Sequence, residues 1–216
     1  KWVLLATALT FMGRQGHSLI VSRFLSIEML GVFSIAITFA KLIEMVVEKL
    51  SWGLLFPLFS EVKSDQPDVF HRRLLKLRLA MYSLCFPLVV FLATLGRDVI
   101  SILYDARYHQ AGWMLEVLAL GFGFYILTSA VNSIPLAHED SKRHMWLQFL
   151  RVASILVSML VGGVWFGTTG LIWGIAAGQA LYYPLLQYAI RDFGIRPGYL
   201  DLVFASGTVA LVALTW

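Results

Sequence analysis

LAMYSLCFPLVVFLATL, Leu79 to Leu95, is an uninterrupted run of uncharged, mostly apolar residues. About 20 such residues cross the roughly 30 Å of bilayer hydrocarbon as a helix, and with its basic approach the run extends to a span at 74–95. Apolar and polar residues do not alternate along it, which separates a helix from a barrel strand, and a lipid-embedded backbone must satisfy its own hydrogen bonds. Working outward, similar spans follow at about 111–137, 145–166 and 170–190, precede at 2–24 and 30–60, and begin again at 202. The expected fold is therefore an all-α integral membrane protein. Residues 1–190 form a six-helix transmembrane bundle, and 191–216 form a cytoplasmic linker and the start of a further transmembrane helix.

Composition excludes the soluble classes. Charged residues make up 14% of the chain, against roughly 25% in soluble domains. The chain opens on Lys1-Trp2 and stops at Trp216 inside an apolar run, so it reads as a fragment, and its first apolar stretch lacks the features of a cleaved signal peptide. Cys85 is the single cysteine and reads as a small buried apolar residue.

Lysine and arginine set the orientation, because loops rich in them stay cytoplasmic. With the start of the first helix inside, the inner flanks hold Lys1, Lys63, Arg72, Arg73, Lys76, Arg78, Lys142, Arg143, Arg191 and Arg196, and the outer flanks only Arg23, Arg97 and Arg107. Residues 61–73 and 138–144 are thereby expected inside and 96–110 outside, with Val99 to Tyr104 forming a short interfacial helix. Topology explains the basic pI better than nucleic acid does, since no basic face is clustered.

Four cations fall within predicted spans: Arg14, Lys41, Lys49 and Arg151. A charge at mid-bilayer costs roughly 2.5–3.5 kcal/mol even on the lenient insertion scale, so such side chains turn toward a bundle interior or a water-filled cavity. At 100° per residue Ser34, Thr38, Lys41, Glu44, Glu48 and Trp52 share one face of the second span, and Thr7, Thr10, Arg14, His17 and Ser18 one stripe of the first. Tyr125, Thr128, Ser129 and Asn132 on the fourth span, and Gln148, Arg151, Ser154 and Ser158 on the fifth, add two more polar faces. The third span has almost none and is expected to meet lipid, with Pro87 a candidate kink. Two readings stay open for each group. Lys41 with Glu44 and Glu48 is either an internal ion-pair set or a cavity lining, Arg151 either snorkels or faces the cavity, and His17 is either a hydrogen-bonded packing residue or a ligand.

Gly170, Gly174 and Gly178 form a ladder of small residues suited to close helix packing. The loop HEDSKRH, His138 to His144, lacks a standard zinc or calcium spacing, there is no glycine-rich phosphate loop with lysine, and no acid-base constellation is visible. The expectation is a protein that is not an enzyme and holds no cofactor, no metal and no nucleic acid.

Three stretches in order carry a family resemblance. They are the first helix running into LGVFSIA (Leu30–Ala36), LLFPLFSEV (Leu54–Val62) before the basic FHRRLLKL, and ILYDARYHQAG (Ile102–Gly112). Together they resemble the polysaccharide transporter, or oligosaccharide flippase, family of the superfamily that also holds multidrug extruders. The resemblance implies the carboxy-terminal lobe of a two-lobe flippase, whose amino-terminal lobe would be its partner. The chain departs from the family pattern at His17, where an acidic residue is frequent, and near Asp105, where glycine is.

The resemblance further implies translocation of an undecaprenyl-pyrophosphate-linked oligosaccharide across a bacterial inner membrane for cell-surface polysaccharide assembly, with membrane lipids and a polysaccharide polymerase complex as further partners. Such a substrate needs cations for its phosphates and hydrogen-bonding or aromatic groups for its sugar. Arg14, Lys41 and Arg151 are the candidates for the first role and Trp52, Tyr125 and Asn132 for the second, with Glu44, Glu48 and His17 beside them. A cation-coupled multidrug exporter and a non-transporting component of a synthase complex are the alternatives.

Overall fold

The computed structural model describes residues 1–51, 53, 67–132, 134–137, 139–191 and 199–215. Among these residues the chain is all-α, without strands. Helix α1 (Trp2–Phe24) and α2 (Ile27–Leu50) form a hairpin closed by Leu25 and Ser26. Leu25 is extended, and the Ser26 side chain accepts the Met29 N–H at 3.3 Å, a cap that starts α2 with Glu28 in its positively polarised first turn. Next come α3 (Pro67–Leu103), a short 3-10 turn (Ala106–Tyr108), α4 (Gln110–Asn132), the one-turn α5 (Ile134–Ala137), α6 (Ser141–Ile190) and α7 (Tyr199–Thr215). Four segments are long and apolar enough to cross a membrane, namely Ile27–Leu50, Arg72–Leu103, Gln110–Leu136 and Ser141–Ile190. Helix α1 has the length of a span but a more polar face.

Helix α4 is the axis of the bundle. Met114, Leu115, Val117, Leu118, Ala119 and Leu120 are all buried, so no side of the helix is left for lipid, as expected of a segment apolar all round. Helices α2, α3, α6 and α7 pack around it. Helix α1 instead lies along α6 and touches α2 little beyond their hairpin turn. The two helices therefore stand apart, with Thr10 and His17 of one and Lys41, Glu44 and Glu48 of the other lining the gap.

Helix α6 holds two of the expected spans. Asp140 caps it by accepting the Arg143 N–H at 2.9 Å, which makes the end of the HEDSKRH run a helix start. The break comes at Gly167 (φ 62°, ψ −142°), a conformation essentially reserved for glycine. The limbs on either side of it fold back on one another. A Cβ on Gly170, Gly174 or Gly178 would strike the backbone at Gly162, Ser158–Met159 and Ser154–Ile155 respectively, so each four-residue step up one limb matches four residues down the other. The expected glycine ladder thus has its partner face. Ser154 and Ser158, grouped above with Gln148 and Arg151, belong to this seam instead.

One connection differs from expectation. Residues 96–103 are the last turns of α3 rather than a loop with its own interfacial helix. Gly96 and Gly112 let α3 and α4 approach so closely that a Cβ on Gly96 would lie 2.8 Å from Glu116 Cγ. Arg97 then meets Glu116 twice, through its backbone N–H at 3.1 Å and its Nε at 3.1 Å. Burial of Ile100 extends the packing past the predicted end of the span. Helix α3 also presents both kinds of surface, with Tyr82, Cys85, Val89 and Ala93 buried against the bundle and Leu79, Leu84 and Phe91 exposed. It runs as one helix through Pro87.

Candidate functional site

The gap between α1 and α2 opens into a cavity of about 270 Å³ lined by Thr10, Gly13 and His17 from α1, Ile37, Lys41, Glu44, Met45 and Glu48 from α2, and Leu118, Gly121 and Phe122 from α4. Helix α6 closes it with Gln148, Arg151, Val152, Ile155, Ile175 and Gln179. Close approach shapes the walls, since a Cβ on Gly13 would lie 2.7 Å from Val152 Cγ2 and one on Gly121 2.8 Å from Ala176 Cα.

A second cavity of about 350 Å³ lies toward the end where α1 and α6 begin and α2 and α4 finish. Its walls include Thr7, Ser51, Tyr125, Thr128, Ser129, Asn132, His144 and Tyr182. Thr10, Glu48, Gln148 and Arg151 line both spaces and stand at their junction.

Arg151 is the hub of that junction. Its side chain is 18% exposed, its Nη2 lies 3.9 Å from Glu44 Oε1, and its guanidinium carbon sits 4.6 Å from the centre of the Tyr125 ring. The Tyr125 hydroxyl in turn donates toward Glu48 Oε1 at 3.5 Å. Tyr182 donates to Asn132 Oδ1 at 3.0 Å, and Ser51 to Ser129 Oγ at 3.4 Å. Arg151 therefore points into the bundle rather than snorkelling, held by a carboxylate and an aromatic face. A guanidinium so placed offers several donors in a fixed fork, the arrangement suited to phosphate oxygens.

Of the residues expected at the site, His17, Lys41, Glu44, Glu48, Tyr125, Asn132 and Arg151 are brought together around the two cavities, with Lys41 the most solvent-exposed of them. Trp52 and the Arg14 side chain lie outside what the structure describes. Ser34 and Thr38 are on exposed surface, and both donate to carbonyls of their own helix. Gln179 and Tyr182 were not expected at the site. Tyr182 continues the four-residue step of Gly170, Gly174 and Gly178, a signal available in the sequence, whereas Gln179 lies one residue off that register.

A second buried polar group went unread. Arg78, counted above among the cytoplasmic flank charges, is buried and forms an ion pair with Asp201 on α7. Its Nη2 also donates to the Tyr82 hydroxyl at 3.0 Å, and that hydroxyl donates to Asp201 Oδ1 at 2.8 Å. The ring of Phe204 stands edge-on to Tyr82 and Phe86, with centroids 4.9 and 5.0 Å away. This cluster fastens α7 to α3. Glu116 was the other omission, an acidic residue inside an otherwise apolar span.

Fold and site together define a polytopic helical membrane protein with a charged cavity among its spans. The chain belongs to the polysaccharide biosynthesis protein family, whose match covers residues 1–113. That stretch holds α1, α2, α3 and the first residues of α4, hence His17, Lys41, Glu44 and Glu48 but not Arg151. No curated protein and no solved structure matches the chain.

Proposed function

We propose that the protein moves a lipid-linked oligosaccharide, carried on undecaprenyl pyrophosphate, across a bacterial inner membrane during cell-surface polysaccharide assembly. The observation that carries this reading is Arg151 in the bundle interior, beside Lys41 and His17, in a member of the polysaccharide biosynthesis family. A pyrophosphate cannot enter hydrocarbon unpaired. Here it would meet a guanidinium already desolvated and held in place by Glu44, and would compete with that carboxylate for it. Glu44 stays in the cavity, so the phosphates add negative charge there, and Lys41 on the same wall is the further cation that would offset it. Lys41 would add to the same anion site, and Glu44 with Glu48 would keep the cations charged between cycles.

The test is complementation of a flippase-deficient strain by the full chain. Arg151→Ala and Lys41→Ala are expected to abolish polymer export while membrane abundance stays near wild type, and Cys85→Ala is expected to change neither. Full export by the Arg151→Ala, Lys41→Ala double variant overturns the reading.

The pair of carboxylates in the cavity favours a second reading, a cation-coupled exporter of organic cations. Energised efflux of a cationic dye, lost in Glu44→Gln, would support it; wild-type export by that variant would remove it. A non-transporting role in a synthase complex would show instead as lost polymerisation with lipid-linked flipping intact in proteoliposomes.

A further inference from the structure

The two cavities differ in chemistry although they meet at Arg151. The first carries Lys41, His17 and Glu44 in addition to the shared residues, and is a place for charge. Among the described residues, the second has no lysine, arginine or carboxylate away from the junction, and its polar lining comes from hydroxyl, amide and imidazole groups. Thr7, Thr128 and Ser129 each spend their hydroxyl proton on a carbonyl of their own helix, at 3.0, 3.0 and 3.2 Å. The Thr7 and Thr128 oxygens therefore remain as acceptors, and the Ser129 oxygen, which already accepts from Ser51 at 3.4 Å, keeps one lone pair. His144 Nδ1 is buried without a hydrogen-bond partner, so the wall keeps unmet capacity, a costly state unless something polar fills the space. Tyr125 and Tyr182 supply aromatic surface beside these acceptors.

We propose that this second cavity is a neutral sugar subsite, which receives the sugar joined directly to the pyrophosphate. The inference rests on the flippase reading above and assigns the substrate's parts to separate places. With the pyrophosphate on Arg151, the next group along the substrate falls beside that junction, in the second cavity. Its sugar hydroxyls donate to the threonine and serine oxygens, and Asn132 offers an amide with both polarities. A volume of about 350 Å³ lies at the small end of ligand pockets, roughly 300–1,000 Å³. The subsite thus reads one sugar at a time and leaves the rest of the repeat unread.

The test measures binding of two lipids to the full chain in nanodiscs: undecaprenyl pyrophosphate, and the same lipid bearing the first sugar of the host's repeat. Wild type is expected to favour the sugar-bearing lipid at least tenfold. Asn132→Leu and Ser129→Val, which fill the cavity with apolar bulk, are each expected to erase that preference and leave bare-lipid affinity within twofold. Arg151→Gln is expected to weaken both lipids tenfold or more. If wild type binds both lipids equally, the subsite is overturned while the anion site stands. If both cavity-filling variants keep the preference, or lower both affinities alike, the subsite is also overturned. If wild type binds neither lipid, the flippase reading itself fails. Because the preference is first measured in wild type, a variant that does not fold leaves the proposal decidable.

Discussion

Two arginines show how differently one residue type is used. Arg151 borders cavities and its partners form an open junction, whereas Arg78 is sealed among Tyr82 and Asp201 with almost no exposure. Removing one member of a sealed pair leaves the other charge buried and uncompensated, which costs about 3–5 kcal/mol, while replacing both by apolar residues of similar size is often neutral. Asp201→Ala is therefore expected to lower the melting temperature of the detergent-purified protein markedly, with Arg78→Met, Asp201→Leu recovering most of the loss. Equal melting of Asp201→Ala and wild type would show that the pair does not hold α7. The cluster was not legible in the sequence because Arg78 also fits the rule for cytoplasmic flanks, and charge counting cannot tell a solvated flank from a buried pair. Asp201 likewise looked like the end of a linker. The cavity residues were more legible, since Lys41, Glu44 and Glu48 recur on one face of a span in which any charge is costly.

At the scale of elements, the seam of α6 is where small residues and backbone conformation act together. Gly167 takes a conformation that other residues hold only at a cost of about 1–3 kcal/mol, and Gly170, Gly174 and Gly178 bring two backbones together. Gly174→Val places a branched side chain against the backbone of Ser158 and Met159, so loss of folded protein is expected, read as a collapsed monodisperse peak in size exclusion. Gly167→Ala lies in open space and is expected to cost only its backbone strain, a modest drop in melting temperature with the peak retained. If both variants behave alike, packing is not what distinguishes these glycines. The spacing of the ladder was readable from sequence, but its partner was not. Ser154 and Ser158 share a helical face with Gln148 and Arg151 only within an arc of about 120°, and which part of that arc faces the cavity emerges once the second limb is docked.

For the whole molecule, orientation follows from the charges and can be checked against helix lengths. Helix α3 has 37 residues, about 56 Å at 1.5 Å per residue, well beyond the roughly 30 Å of hydrocarbon. It must project from the membrane, and its two ends differ in kind. The first turns carry Arg72, Arg73 and Lys76, whereas the last carry Arg97 and Asp98, with Arg97 held to Glu116. The basic end belongs inside by the distribution of lysine and arginine, and the arrangement of α4 and the two limbs of α6 then alternates across the bilayer. Ser141 begins the first limb on the inner side, Gln110 begins α4 on the outer side, and Thr168 follows the turn between the limbs, again outside. In a functional Cys85→Ala background, cysteines at Gln110 and Thr168 should react with an impermeant thiol reagent added to intact cells. A cysteine at Ser141 should react only after permeabilisation. Labelling in this pattern would put the second cavity toward the cytoplasm, the side from which the proposed substrate would enter, and the first cavity deeper. Labelling of Ser141 in intact cells together with protection of Gln110 would invert the molecule, and the sugar would then have to reach its subsite from the outer face.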